Sequence, residues 1–245
     1  MVKTLVLRIY NSTPIYDAMK KLHIENDESI FVTFNPDIDT EWKYTESERL
    51  IEVRGHESYI PGILDKTVVA MRACLQLFDF DFLVRSNAST VIDTVELHSQ
   101  LSSYSRDIHF CSGHTWPMEW INGELQFTTV EWLGKGLPLI TGIAIVMSRV
   151  TCQYIVDNEK LLDKSRIDDV SIALMLEKME KVHLNMPRSE EVGIVNGVCF
   201  YRFRTDGPKP WLGIESGKPG RTDDVISIEK QYKLLAKKNL LKPCS

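Results

Sequence analysis

Cysteine chemistry, basic charge and long apolar runs are all scarce in this sequence. Five cysteines stand at Cys74, Cys111, Cys152, Cys199 and Cys244, an odd number with no CxxC pair. That excludes a disulfide framework or a zinc ribbon and leaves free thiols in a reducing compartment. The formal net charge is −5, which argues against a general nucleic-acid binder. The first apolar run, residues 4–10, is short and broken by Arg8. It predicts a first strand, neither signal peptide nor membrane anchor, so no membrane insertion and a cytoplasmic location are expected. There is no GxGxxG and no GxxxxGK[ST], so neither dinucleotide nor P-loop chemistry is signalled. No internal repeat or low-complexity segment is visible.

What is present is an ordinary globular composition. Of the 245 residues, 43% are hydrophobic and 26% charged, enough to bury a sizeable core. Thr4 to Tyr10 reads as a buried strand. Asn11-Ser12-Thr13-Pro14 reads as a helix start with a capping hydroxyl and proline in the first turn. Further strands are predicted near 30–34, 49–54, 80–85 and 143–148, with helices between them. One helix, from Lys66, places Val69, Ala73 and Leu77 on one face. Alternating strands and helices imply an α/β class with a largely parallel, Rossmann-like sheet. Arg106 to Cys111 reads as a strand, 112–117 as a loop and 205–221, rich in glycine and proline, as a mobile loop. Val225 to Leu241 closes the chain as an amphipathic helix. A single domain over 1–245 is expected.

The strand at 80–85 ends in Ser86-Asn87-Ala88-Ser89-Thr90, and such a strand end is where an open α/β sheet binds its ligand. Enzymes that use nucleotide sugars place Asp-x-Asp at such a turn, to hold a divalent cation against a diphosphate. Here the turn offers an amide and hydroxyls. A literal Asp37-Ile38-Asp39 follows proline and reads as a solvated turn. Asp168 and Asp169 open a helix, where acids serve as caps and dipole partners or as chemistry. Trp116, Trp120 and Trp132 serve either as core or as stacking faces for sugar rings.

Two blocks resemble the inverting β-1,3-galactosyltransferase and fringe-type glycosyltransferases, which have the GT-A fold. The first is Glu57-Ser58-Tyr59 and Leu64-Asp65-Lys66-Thr67, followed by the strand 82–89. The second is 138–149, with Thr141-Gly142 and Ser148 matching, followed by Asp168-Asp169-Val170. The order agrees over roughly residues 50–180. Asn87 and Ser89 depart from the family's carboxylates, and no histidine stands in 200–204, where many such enzymes place a further metal ligand.

The resemblance implies a mixed central sheet flanked by helices, a donor-binding half (1–100) and an acceptor-binding and catalytic half (101–245). It implies Asp169 as general base, with Asp168 as its neighbour in reserve. On the donor side it points to Tyr10, Asn11, Glu57, Lys66, Arg85, Ser86, Asn87, Ser89, Arg202, Arg204 and Arg221, with Lys209 beside them. On the acceptor side it points to His114, Trp116, Thr141 and Gly142. The partners implied are a nucleotide-diphosphate sugar and a glycan or other hydroxyl acceptor. Neutral oxygens suit a hard cation poorly, whereas arginine pairs bidentately with phosphate. No cofactor is therefore expected, and a divalent cation such as manganese is the less favoured alternative. The same departures would mark a decayed enzyme that binds a sugar or nucleotide without turnover. A nucleotidyltransferase is a third reading, without its glycine-rich entry loop.

Overall fold

The computed structural model describes residues 2–121, 124–127, 137–205 and 220–241. Trp132, Lys209, Cys244 and the interior of the 205–221 loop lie outside them. The first strands are β1 (Thr4–Ile9), β2 (Ile30–Phe34), β3 (Trp42–Thr45), β4 (Leu50–Val53), β5 (Phe82–Asn87) and β6 (Thr90–Ile92). Later ones are β7 (Cys111–Ile121), β8 (Glu124–Phe127), β9 (Leu137–Ser148), β10 (Arg188–Ser189) and β11 (Phe200–Arg202). The helices are α1 (Pro14–Asn26), α2 (Gly62–Leu77), α3 (Thr94–Leu101), α4 (Arg149–Asp157), α5 (Asp168–Met175) and α6 (Thr222–Leu241).

Eight strands form a mixed sheet in the order β3-β4-β2-β1-β5-β9-β7-β8. β4, β2, β1 and β5 run parallel, and β9 is antiparallel to both β5 and β7. A second sheet, β10-β11-β6, stands beside it. The α/β class and the mixed sheet flanked by helices are as the sequence led us to expect. Order reverses between β1 and β5, whose carboxyl ends are level because Ile9 pairs with Asn87. A sheet has its crevice at such a switch point. There the chain leaves the main sheet at Asn87 and enters the small one at Thr90.

β1 and β5 are buried on both faces. Leu7 and Leu83 belong to one core cluster with Leu64, Met71, Cys152 and Ile172. Val6 and Val84 belong to another with Leu97, Phe110 and Phe200. Such burial explains their near-continuous apolar runs. Cys74, Cys111, Cys152 and Cys199 are free and buried. No helix among the described residues is long and apolar enough to cross a membrane.

Several local expectations are corrected. α2 begins at Gly62, and its buried residues include Leu64, Val68 and Met71, while Leu77 is 41% exposed. The helix packs against both the sheet and α4, so no single four-residue stripe describes its buried surface. Thr13 precedes α1 without making a side-chain cap bond, and Pro14 alone marks the helix start. Residues 112–117 are strand, within β7. Gly113, which read as a loop signal, sits where the pairing of β7 with β9 shifts register. A Cβ there would lie 2.3 Å from the Ala144 carbonyl oxygen, so glycine is needed for close approach. Residues 106–109 precede that strand instead of forming it.

One buried ion pair ties α1 to β1. Arg8 Nη2 donates to Asp27 Oδ2 at 2.9 Å, with both side chains almost fully enclosed. Burial alone would raise the Asp27 pKa, but Arg8, His23 and Ser29 outweigh it and hold the carboxyl well below its usual range. We expect Asp27→Ala to cost about 3–5 kcal/mol in denaturant unfolding, since it strands a buried guanidinium. A depressed carboxyl pKa stabilises the fold above the unfolded value of about 4, and that contribution is lost as pH falls below it. The stability of the wild type should therefore drop more steeply below about pH 4 than that of the variant.

Candidate active site

A cavity of about 770 Å³ opens at the carboxyl ends of β1 and β5. Of the residues singled out in the sequence, it is lined by Tyr10, Asn11, Glu57, Lys66, Arg85, Asn87, Ser89, Trp116, Thr141, Gly142, Asp168, Asp169, Arg202, Arg204 and Arg221. The switch point brings them together from β1, α2, β5, β9, α5 and the small sheet.

On one wall are the two acids that open α5. Ile167, without a side-chain cap bond, is the N-cap, so both acids lie in the first helical turn. Asp168 is fully enclosed. Its Oδ2 lies 2.7 Å from Arg85 Nη2 and accepts from Thr67 Oγ1 at 3.1 Å. Oδ2 is thus committed to the scaffold, while Oδ1 is buried without a hydrogen-bond partner. Asp169 is half-buried at the cavity surface. Its Oδ2 accepts from the Gly142 amide at 2.8 Å and its Oδ1 from the Val170 amide at 2.9 Å. Burial and the neighbouring Asp168 raise its pKa. Gly142 permits this approach, because a Cβ there would stand 2.9 Å from Arg85 Nη1 and 3.2 Å from Asp169 Oδ2. We expect Gly142→Ala to fold but to lose most turnover, on the order of tenfold or more, by displacing Asp169. Steady-state kinetics beside a melting curve checks this.

Arg85 is committed to the scaffold. Besides Asp168 it donates to Asn87 Oδ1 at 3.0 Å and to the Gly142 carbonyl. It holds the acids and the turn in one frame, and its remaining Nε is buried without a partner. Ser86 is fully buried, its hydroxyl donating to the Ile143 carbonyl at 2.8 Å. It lies outside the cavity lining, which corrects its placement among donor contacts. In a strand, residues 86 and 87 point to opposite faces, and Asn87 is the one that meets the cavity.

On the other side, the small sheet and the start of α6 supply arginines. Arg202 pairs across strands with Thr90, and Arg204 follows two residues on. Arg188 comes from β10, and Arg221 lies just before α6. Arg221 is anchored by Asp224 at 2.7 Å and by donation to the Tyr16 hydroxyl at 2.9 Å. Arg188 pairs with Glu190 at 3.0 Å and sits over the Trp116 ring. Arg202 has no carboxylate within ion-pair distance among the described residues. Burial, then Arg204, Arg188, Arg85 and Arg221, lower its pKa to about 10. Such crowding of like charge is unfavourable until an anion enters.

At the β1 end, all three donors of Lys66 are used, on the Tyr10 carbonyl at 2.8 Å and on Glu57 at 2.7 and 2.8 Å. Glu57 still presents a partly exposed carboxylate to the cavity. Tyr10 donates to Asp17, and burial first, then Asp17, pushes its pKa up to about 12. Asn11 lines the cavity beside it. Trp116 and Thr141 line the opposite mouth. His114 is half-buried in β7, outside the lining, and burial lowers its pKa to about 4. The cavity also takes in Ser58 and Tyr59, from the first block of the resemblance, and Tyr16, Arg188 and Glu190, which sequence reasoning missed. Arg188 carried no signal, since β10 is two residues long.

Neither Asn87 nor Ser89 suits a hard divalent cation. Asn87 Oδ1 already accepts from Arg85. Among the described residues, no three His, Cys, Asp or Glu side chains converge as a metal site. Asp79 and Asp81 lie at the amino end of β5, paired with Lys3 and Arg106. The residues present do not fit the cation of the Asp-x-Asp enzymes.

No protein-family model matches the chain, and no curated protein sequence does. Among solved structures it is similar to the glycosyltransferase GlyE of Streptococcus pneumoniae TIGR4, at TM-score 0.47 and 12% identity over 97% of this chain. The chain spans 63% of the length of that structure. It is similar at TM-score 0.45 and 12% identity to the galactosyltransferase LgtC in complex with donor and acceptor sugar analogues, covering 92% of this chain and 95% of that one. A 2-C-methyl-D-erythritol 4-phosphate cytidylyltransferase of Francisella tularensis is similar at TM-score 0.40 and 12% identity, over 75% of this chain and 90% of that one.

Proposed function

We propose that the protein is a glycosyltransferase that moves a sugar from a nucleotide-diphosphate donor to a hydroxyl of a glycan or other acceptor, with inversion. One observation carries this reading. Lys66 is paired with Glu57, Arg85 with Asp168, Arg188 with Glu190 and Arg221 with Asp224. Asp169, on one wall, has no ion-pair partner among the described residues, and neither has Arg202 on the other. A carboxylate that can take a proton and a desolvated guanidinium that can take phosphate charge are what displacement of a diphosphate requires.

Placement supports the following roles. Tyr10, Asn11 and Glu57 receive the nucleoside at the end of β1, with Lys66 holding Glu57 in place. Asn87 and Ser89 meet the diphosphate, whose charge falls to Arg202 with Arg204 and Arg221 beside it. Trp116, Thr141 and Gly142 border the acceptor. Asp169 removes the acceptor proton as oxygen attacks the anomeric carbon. A carboxylate has four lone-pair positions, so the two amide bonds leave it able to act.

The test is a melting-temperature screen with nucleoside diphosphates and nucleotide sugars, followed by product analysis. A donor at about 100 times its Kd adds about 2.7 kcal/mol, or roughly 5–10 °C for a chain of this length. Slow hydrolysis of that donor without acceptor is also expected. A donor that binds without any turnover would favour a sugar- or nucleotide-binding protein, and no stabilising nucleotide would remove the proposal.

A further inference from the structure

The turn at 87–90 does not hold itself. Each of its carbonyls accepts a bond from outside the turn. Arg8 Nη1 donates to the Asn87 carbonyl at 3.2 Å and to the Thr90 carbonyl at 2.6 Å. His23 Nε2 lies 2.7 Å from the Ala88 carbonyl and must donate, because a carbonyl only accepts. The Phe203 amide donates to the Ser89 carbonyl at 2.9 Å. Arg8 and His23 are both fully buried, and neither lines the cavity.

Behind them is a second layer. Asp27 accepts from Arg8 at 2.9 Å, and the Tyr232 hydroxyl donates to the same Oδ2 at 2.5 Å. Tyr232 Oη also stands 2.5 Å from His23 Nδ1. Ser29 accepts from Arg8 Nε at 2.7 Å. The Arg8 guanidinium and the His23 ring, through Nδ1, are therefore aimed by Asp27, Ser29 and Tyr232. α6 begins directly after Arg221, and Phe203 separates Arg202 from Arg204. One buried network thus ties down both the turn and the segments that carry the arginines.

We propose that Arg8, His23, Asp27 and Tyr232 are positioning residues that fix the 87–90 turn at the spacing from Arg202 that a diphosphate spans. The inference rests on the transferase reading for its ligand but not for its geometry. With the carbonyls drawn inward to Arg8 and His23, the side chains of Asn87 and Ser89 are left to the cavity. Where a bound cation would otherwise gather turn and phosphate, this chain sets the distance from behind.

The experiment compares His23→Leu, which removes the bond to Ala88, with His23→Gln, whose amide nitrogen restores a donor near Nε2. Ile155→Val, in the distant α4 core, is the control for lost stability. Amide exchange of the 86–92 peptide and calorimetric affinity for inorganic pyrophosphate are both read. In His23→Leu, exchange at 87–90 should rise about tenfold or more, and pyrophosphate affinity should fall by about tenfold or more. His23→Gln should stay within about 1.5-fold of wild type on both, and Ile155→Val should move neither. If His23→Leu does not fold, Tyr232→Phe, which removes one hydroxyl, is read in its place, with shifts of about threefold expected. A folded variant with wild-type exchange, or one with faster exchange and unchanged affinity, overturns the proposal. Wild type that fails to bind pyrophosphate sinks the diphosphate reading instead, while the exchange data still decide whether the network holds the turn.

Discussion

Asp169→Asn is expected to lower turnover by about 10²–10⁴, the usual contribution of a positioned base, while leaving donor affinity almost unchanged. The amide keeps the volume of the carboxylate but cannot take the acceptor proton. The structure adds a second consequence. Both carboxylate oxygens accept a backbone amide, from Gly142 and from Val170. Asparagine has one oxygen, so one of these amides loses its partner, at a cost of about 1–3 kcal/mol. A melting curve separates that loss from the kinetic one. Asp168→Asn should behave differently, since it strands Arg85 and damages the frame before the chemistry. The pH profile carries the same signature. The pKa of Asp169 is raised by burial and by Asp168, and the base works only when ionised. kcat/KM should therefore rise with pH along an acid limb placed above the ordinary carboxylate value of about 4. Wild-type activity in a folded Asp169→Asn would remove Asp169 from the mechanism.

Arg202→Ala should cost about 10²–10³ in turnover, as removal of a single oxyanion donor does. The half-buried guanidinium already has its desolvation met by the fold, and burial first, then the four arginines around it, lower its pKa to about 10. An entering diphosphate relieves that repulsion, so its charge is bound strongly where little water competes. Arg202→Lys should recover only part of the loss, since an ammonium cannot present two parallel donors to phosphate. Affinity for the nucleoside diphosphate should fall together with rate, because product and transition state share that charge. Arg202→Ala should also melt higher than wild type without ligand, since crowding is relieved, and gain less from added pyrophosphate. An Arg202→Ala enzyme with undiminished turnover would move the charge-bearing role elsewhere in the cluster.

Much of this was legible in the sequence, for physical reasons that differ by element. β1, β2, β4, β5 and β9 announce themselves as buried apolar runs, and Asn87 follows as the end of one of them. The resemblance gave Asp169 as base and put Gly142 on the acceptor side, but the bond between them, across far-apart parts of the chain, was not legible. Burial states were less legible. Arg85 and Lys66 read as donor contacts and Asp168 as a base in reserve, but Arg85 is paired with Asp168 and Lys66 with Glu57. Sequence spacing cannot show that a charge already has a partner. Residues 112–117 read as loop because glycine and proline usually break strands, whereas Gly113 is there to let β9 approach. Arg188 stands in a two-residue strand without periodicity, so nothing local marked it. His23 carried no signal in the sequence, and only folding sets it against Ala88.

The central claim is that arginine, led by Arg202, takes the diphosphate charge that a cation carries in Asp-x-Asp enzymes. The most direct test is donor turnover by wild type in EDTA and then with manganese restored. The account predicts a loss of less than about tenfold in EDTA, equivalent to roughly 1.4 kcal/mol of barrier, and little gain on adding manganese. Activity abolished by EDTA and recovered with manganese would contradict it.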